Sequence, residues 1–334
     1  MTIKDLAART GYAVATVSRV LNGHPNVSQK ARQVILAEVE RSGFQLNANA
    51  KQLKQQRATS LLVVVKGTSN ELFARLVEHI QSLAAQTRYP VCVDYLDEEE
   101  NEVRRALQLC WEKKPLGILF LGGNTENFRQ DFGKIDIPCV VLTNDMSSVA
   151  FGNLSSVSVD SREASRCVIH SLAQRNHRHI VLVGGDRVTS DTGRQRYQGC
   201  LEGFREAGID FDEELDYVNV RYCCQGGYMG AKTLLERGRK FTALYAAADV
   251  MAIGAIRALK EAGLRVPEDV SVVGFDGLEI GSYLVPQLTT VVQPVAELAN
   301  RSMQILLACV EEGGEARHET VPFALNIRES ITSI

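Results

Sequence analysis

The apolar positions of the chain fall into two textures, and the change comes near Leu61. Over the first 45 residues they recur at helical spacing: Ile3, Leu6 and Ala7 run up to Gly11, Val17 and Val20 mark a second stretch of about Ala13–Leu21, and Val34, Ile35 and Val39 lead towards Gly43. That periodicity predicts three short helices and no strand. Thr2 with Asp5 three residues later fits a capping box, Asn22-Gly23-His24-Pro25 is a turn cluster, and Ser28 can cap the third helix. Residues 45–60, QLNANAKQLKQQRATS, hold only Leu46 and Leu53 as large apolar groups. This reads as a linker with helical potential but too little apolar surface to order by itself, the kind of segment that orders on binding.

From Leu61 onward, short continuous apolar runs alternate with amphipathic helical stretches: LLVVV, VCVDY, GILFLG, CVVLTN, HIVLVG, YVNV, TALYAA and VSVVGF. Such runs predict parallel strands covered by helices on both faces. The pattern is too long for one open sheet. It predicts two doubly wound lobes, with a ligand crevice beyond the carboxyl ends of the strands.

Charge changes the picture more than composition does. The 334-residue chain has a net charge of -3, but residues 1–60 hold nine Lys or Arg against three Asp or Glu, a net of +6, which leaves -9 for the rest. A small basic head on an acidic body points to an anionic partner for the head, nucleic acid first; a solvated basic helix surface has the same composition. No run approaches the roughly 18 apolar residues of a membrane span, and MTIKDLAART lacks a signal peptide's apolar core, so a cytoplasmic protein is expected. The eight cysteines form no CxxC pair and several lie inside apolar runs, which suits reduced structural thiols.

Two helices joined by a Gly-containing turn match a helix-turn-helix, whose second helix enters the major groove. In ATVSRVLNG, Ala15–Gly23, and the Val14 before it, this places Val14, Ala15 and Arg19 towards the bases and Val17 and Val20 towards the core. Arg can pair with guanine through two hydrogen bonds, and small apolar groups can touch a thymine methyl. Thr16, Ser18 and Asn22 are further DNA-binding candidates, the first two at phosphates or in packing. Spacing alone is equally compatible with an ordinary helix hairpin.

TIKDLAARTG, ATVSRVLNG, VSQKAR, NANAKQL, LRVPEDVSVVGFDG, LTTVVQP and the terminal RES occur in this order along the whole chain. Together they closely resemble the LacI/GalR (lactose/galactose repressor) family of bacterial transcription regulators. The resemblance implies a helix-turn-helix head over residues 1–45 and a hinge helix over 46–59. It also implies a body of two periplasmic-binding-protein-type lobes over 60–334, with the N-lobe at about 60–158 and 291–320 and the C-lobe at about 161–288 and 322–334. It further implies a cytoplasmic homodimer on a palindromic operator, usually as a repressor, with hinge residues Asn47, Ala50 and Lys51 in the minor groove and Leu53 as the apolar wedge. Leu46 replaces the family's usual proline, Lys51 its usual arginine, and Ala13 its frequent capping serine.

For the body, the resemblance implies a small-molecule effector between the lobes, held by Asn70, Phe73, Asp160, Arg196, Tyr222, Asp249 and Asp276. Carboxylates and Arg give paired hydrogen bonds to neighbouring hydroxyls, and an aromatic face covers a sugar's C–H surface, so a sugar or sugar derivative fits. Glu71 and Leu72 depart from the family's pattern at the entrance, and Ala248 replaces a frequent Asn.

Other chemistry finds no support. His177 and His179 lie two apart at a helix-to-strand junction, too divergent to share a metal, and Cys223-Cys224 is unsuited to chelation by itself. No GxGxxG, GxSxG or Walker loop occurs, so no cofactor and no enzymatic activity are expected. A sugar receptor without DNA function would call for an export signal and no basic head. The tail beyond RES carries no leucine heptads, so a dimer is expected and not a coiled-coil tetramer.

Overall fold

The computed structural model describes residues 3–21, 27–42, 59–67 and 70–334, and the chain divides into two units, Met1–Arg57 and Ala58–Ile334. Thr2, the turn at 22–26 with Asn22, and the linker positions Asn47, Ala50, Lys51 and Leu53 lie outside the described residues.

In the first unit α1 (Ile3–Thr10), α2 (Val14–Leu21) and α3 (Gln29–Ser42) pack around Leu6, Ala7, Val17, Val20 and Ile35. The 3.6-residue repeat puts Val17 and Val20 inward, leaving Val14, Ala15 and Arg19 on the outer face. Ser28 caps α3 as its sequence predicts, its Oγ accepting from the amide of Ala31 at 3.3 Å. At the start of α2 the Ala13 carbonyl accepts from Thr16 and Val17 at 2.8 and 3.1 Å. Alanine has no side-chain oxygen to satisfy the amides that a serine would.

The second unit begins with β1 (Leu61–Lys66), α4 (Glu71–Ala84), β2 (Val91–Leu96), α5 (Glu102–Lys113), β3 (Gly117–Leu121), α6 (Thr125–Asp131), β4 (Cys139–Leu142) and β5 (Leu154–Ser158). It continues with α7 (Ser161–Ala173), β6 (Ile180–Gly184), α8 (Asp191–Ala207), α9 (Glu213–Asp216), β7 (Tyr217–Asn219), α10 (Cys224–Glu236), β8 (Ala243–Ala246), α11 (Asp249–Glu261) and β9 (Ser271–Asp276). The last elements are β10 (Thr289–Val292), α12 (Val295–Glu312), β11 (His318–Thr320) and β12 (Ala324–Asn326).

Two six-stranded sheets result, ordered β11-β5-β4-β3-β1-β2 and β12-β10-β9-β8-β6-β7. The eight apolar runs form strands, joined by β5, β10, β11 and β12. β5, LSSVS, is buried throughout although three of its five residues are serines. Ser155 accepts from the amide of Arg317, and Ser156 accepts from that of Met146 while bonding His318 Nδ1. With those bonds made, buried hydroxyls cost little.

The chain crosses between the sheets at 159–160, 293–294 and 321–323. β10 still belongs to the second sheet, pairing with β9 up to Val292, so the chain leaves that sheet about two residues later than the sequence suggests. β12 departs from the parallel expectation, being antiparallel to β10. The parallel strands end at the cleft, so a short connection from the end of β11 must enter the second sheet from its cleft side and run backwards. Close helix packing depends on small residues: a Cβ on Gly227 would lie 1.9 Å from the Met251 carbonyl oxygen, and one on Gly254 1.9 Å from that of Cys224. These glycines let α10 and α11 touch backbone to backbone.

Candidate functional site

The carboxyl ends of both sheets face a cleft of about 700 Å³, within the size range of small-molecule sites. Its deep part is organised around Arg196, in the second turn of α8 and only 4 % exposed. One terminal nitrogen donates to the Ala247 carbonyl, the other lies 3.6 Å from Asp276 Oδ1, and the guanidinium stacks 3.6 Å from the Phe275 ring centroid. Asp276 ends β9 at φ +121, and its Oδ1 accepts from Gln293 Nε2 at 2.8 Å. Burial pushes its carboxyl up to about 6, with Arg196 opposing the rise. Arg196 Nε and Gln293 Oε1, both buried, have no hydrogen-bond partner among the described residues. A donor and an acceptor that could serve a ligand hydroxyl therefore remain unused.

Tyr222 forms a wall over Gly185, where a Cβ would lie 2.1 Å from the tyrosine ring. On the other side Phe73 packs against Gly122, which sits at φ +79 with the ring 3.0 Å from a would-be Cβ. Asn70 also lines the cleft and caps α4 through Oδ1, accepting from the Leu72 amide at 3.0 Å. These five, Arg196, Asp276, Tyr222, Phe73 and Asn70, come together as the sequence suggests.

Two others do not, and these are corrections. Asp160 is exposed and outside the cleft, because its Oδ1 accepts from the Glu163 amide at 2.8 Å and caps α7. Asp249 opens α11 and does not end a strand. It is fully buried, accepting from the Leu278 amide at 2.7 Å and the Thr290 hydroxyl at 2.6 Å. Burial, with Asp276 nearby, pushes its carboxyl up to about 8. Asp249 thus pins the turn after β9 that presents Asp276, without reaching the cleft itself.

Sequence reading missed several lining residues, among them Thr143, Asn144, Gln293, Asp97, Glu98 and Arg221. Each lies at or just beyond the end of a strand, the signal that could have found them. Some bind one lobe to the other. Asn144 Nδ2 donates to Thr192 Oγ1 at 3.1 Å, and Asn124 Nδ2, just beside the cleft, donates to the Thr189 carbonyl at 2.8 Å. Thr125, through amide and hydroxyl, donates to Asp191 at the start of α8. At the mouth Arg221 pairs with Asp97 at 2.7 Å and Glu98 at 2.5 Å, holding the Asp97 carboxyl below its ordinary range.

In the head, Val14 is 46 % exposed, Ala15 and Arg19 are exposed, and Thr16 and Ser18 are half-buried. A model of the bacterial regulatory proteins of the lacI family matches residues 2–47, and one of the periplasmic binding protein-like domain matches 169–331. The HTH-type transcriptional regulator MalR of Clostridium butyricum is 32% identical, over 100% of both chains. The chain belongs to the LacI family. Catabolite control protein A of Priestia megaterium is 30% identical over 99% of each chain. The crystal structure of the lac repressor dimer bound to operator and the anti-inducer ONPF is similar with a TM-score of 0.74 at 25% identity, covering 100% of this chain and 99% of that one.

As a LacI-family protein the chain is a DNA-binding transcriptional regulator, in a family made up of such regulators and not of enzymes. Its other titratable clusters fit structural roles. His177 is buried, bonded to Thr242 Oγ1 at 2.9 Å and the Thr332 carbonyl at 3.0 Å, whereas His179 is exposed. No group of three metal-ligating side chains occurs among the described residues, and all eight cysteines are free thiols. No helix of the described residues is long and apolar enough to cross a membrane.

Proposed function

We propose that this LacI-family regulator acts in the cytoplasm as a homodimeric repressor whose operator affinity is set by a sugar-like effector in the cleft. The observation that carries the effector reading is the pair of unused buried groups, Arg196 Nε and Gln293 Oε1, flanking the Asp276 carboxylate. A vicinal diol offers donors to Asp276 and Gln293 and an acceptor to Arg196. The rings of Phe73 and Tyr222 suit the apolar faces of a sugar ring.

On the DNA side, Val14, Ala15 and Arg19 are proposed to read base edges, Thr16, Ser18 and Asn22 to approach the backbone, and Asn47, Ala50, Lys51 and Leu53 to enter the minor groove. A palindromic operator follows from the two-fold symmetry of a dimer, and the similar lac repressor is a dimer bound to its operator. The effector acts by binding one lobe arrangement more tightly than the other, since only differential affinity shifts an equilibrium.

The test is retardation of operator fragments across a salt series, with and without sugars first selected by thermal shift. Palindromes that bind no better than random duplex would sink the DNA reading. An Arg196→Ala variant with an undiminished sugar response would sink the effector assignment.

A further inference from the structure

The cleft has spent its positive charge. Among the described residues three cationic side chains line it, and each already faces a protein acceptor or carboxylate, Arg196 keeping only its Nε unbonded. Lys66 Nζ sits 2.6 Å from Glu102 Oε2 with Glu102 fully buried. Glu102 is held in turn by the Asn124 amide at 2.6 Å and by Asn127 Nδ2 at 3.0 Å. Arg196 is divided between the Ala247 carbonyl and Asp276, and Arg221 between Asp97 and Glu98.

The acids are in excess. Glu99 and Asp186 also line the cleft, and Asp186 is kept ionised by the amides of Val188 and Thr189 at 2.6 and 2.9 Å. The other common receptor for an anion, a helix N-terminus, is already occupied by a side chain at the three helices whose cap residues line the cleft. Each of these three is capped from its own chain. Asn70 caps α4, Ser190 caps α8 by accepting from Gly193 at 3.0 Å, and Cys223 caps α10 by accepting from Gly226 at 3.3 Å.

We infer that the cleft selects an uncharged polyhydroxy ligand and rejects the phosphorylated or carboxylated form of the same sugar. This rests on the effector reading above and adds the chemical class. A phosphate group would have to break an internal ion pair or sit against carboxylates, and like-charge juxtaposition in a confined site opposes binding strongly. Neutral hydroxyls need only the unused Arg196 Nε and Gln293 Oε1 and the Asp276 oxygens.

The experiment is calorimetric titration of the full-length protein with matched pairs, maltose, cellobiose and sucrose each against its 6-phosphate, with inorganic phosphate alone as a further probe. The expected result is at least one neutral sugar that binds, with its phosphate ester roughly tenfold or more weaker, and no heat from inorganic phosphate. A phosphate ester that binds as tightly as the neutral sugar, or more tightly, overturns the inference while leaving the effector reading intact. Failure of every sugar, neutral and phosphorylated, overturns the effector reading itself and the inference with it.

A double variant, Asp97→Asn with Glu98→Gln, releases Arg221 at the exposed mouth without touching the core. It should narrow the gap between neutral and phosphorylated partners severalfold at low ionic strength, and less at high salt, where exposed charges are screened. An unchanged gap in this variant counts against the charge argument.

Discussion

On the outer face of α2, Val14 and Arg19 stand exposed, whereas Arg196, Asp276 and Gln293 in the cleft are each no more than 4 % exposed and hold one another in place. The difference matches the two partners proposed above. A phosphate-lined duplex is found at long range, and much of the binding energy comes from releasing its counterions, so exposed cationic groups on a small head suffice. A neutral polyol offers only hydroxyls of fixed geometry, and discrimination then depends on buried groups that are left unpaired when the wrong ligand enters.

The contrast can be broken at several points. Arg196→Ala removes one member of a buried ion pair and should cost the body about 3–5 kcal/mol along with the effector response. Operator binding without effector should persist, which thermal melts and mobility shifts would show. Ile35→Ala opens a cavity in the small head core and should cost about 2–5 kcal/mol. That melt should uncouple, with DNA binding lost while the body unfolds at its usual temperature.

Arg19→Ala leaves the fold alone. It should weaken specific operator binding by about 1–3 kcal/mol, seen as a reduced preference for the palindrome over random duplex.

A pH series separates ligand recognition from stability. The ionised Asp276 carboxylate is the stronger acceptor for a ligand hydroxyl, and its carboxyl is raised to about 6. Effector affinity should therefore be constant above that pH and fall up to about tenfold per unit below it. Stability moves the other way. A carboxyl with a raised pKa in the folded protein contributes stability near pH 4 that is lost as the pH rises through about 6, and for Asp249 through about 8. Calorimetry in both modes would show the opposition; parallel trends would contradict it. The smallest effect is Ala13→Ser, which supplies the missing cap on α2 and should stabilise the head by about 1 kcal/mol.

Most of the architecture was legible because burial on both faces leaves an unmistakable trace: LLVVV or HIVLVG has no polar residue to confuse the reading, apart from its leading histidine. β5 was hidden because Ser155 and Ser156 satisfy their hydroxyls through contacts distant in sequence, 162 residues away in Arg317 and His318. Site residues divided along the same line. Arg196 and Asp276 carry local patterns, RYQG and GFDG. Asp160 and Asp249 come only from the resemblance, and a carboxylate at a helix start is indistinguishable in sequence from one aimed at a ligand. Gln293 was overlooked in LTTVVQP because nothing near it says that its side chain meets Asp276. Charge exhaustion in the cleft was invisible for a similar reason, since Lys66 and Glu102 are 36 positions apart.

The helix α8 carries both the residue that grips the deep end of the cleft, Arg196, and, within its first turn, Asp191 and Thr192, which tie it to the opposite lobe. A single rigid rod thus serves as ligand sensor and as bolt. Any substitution that tilts it to suit a new ligand also alters how firmly the halves shut. The strand-end loops around 97–99 and 219–221 close the mouth in the same double capacity, through Arg221 with Asp97 and Glu98, so a change of ligand that reshapes either one also resets the balance between open and closed.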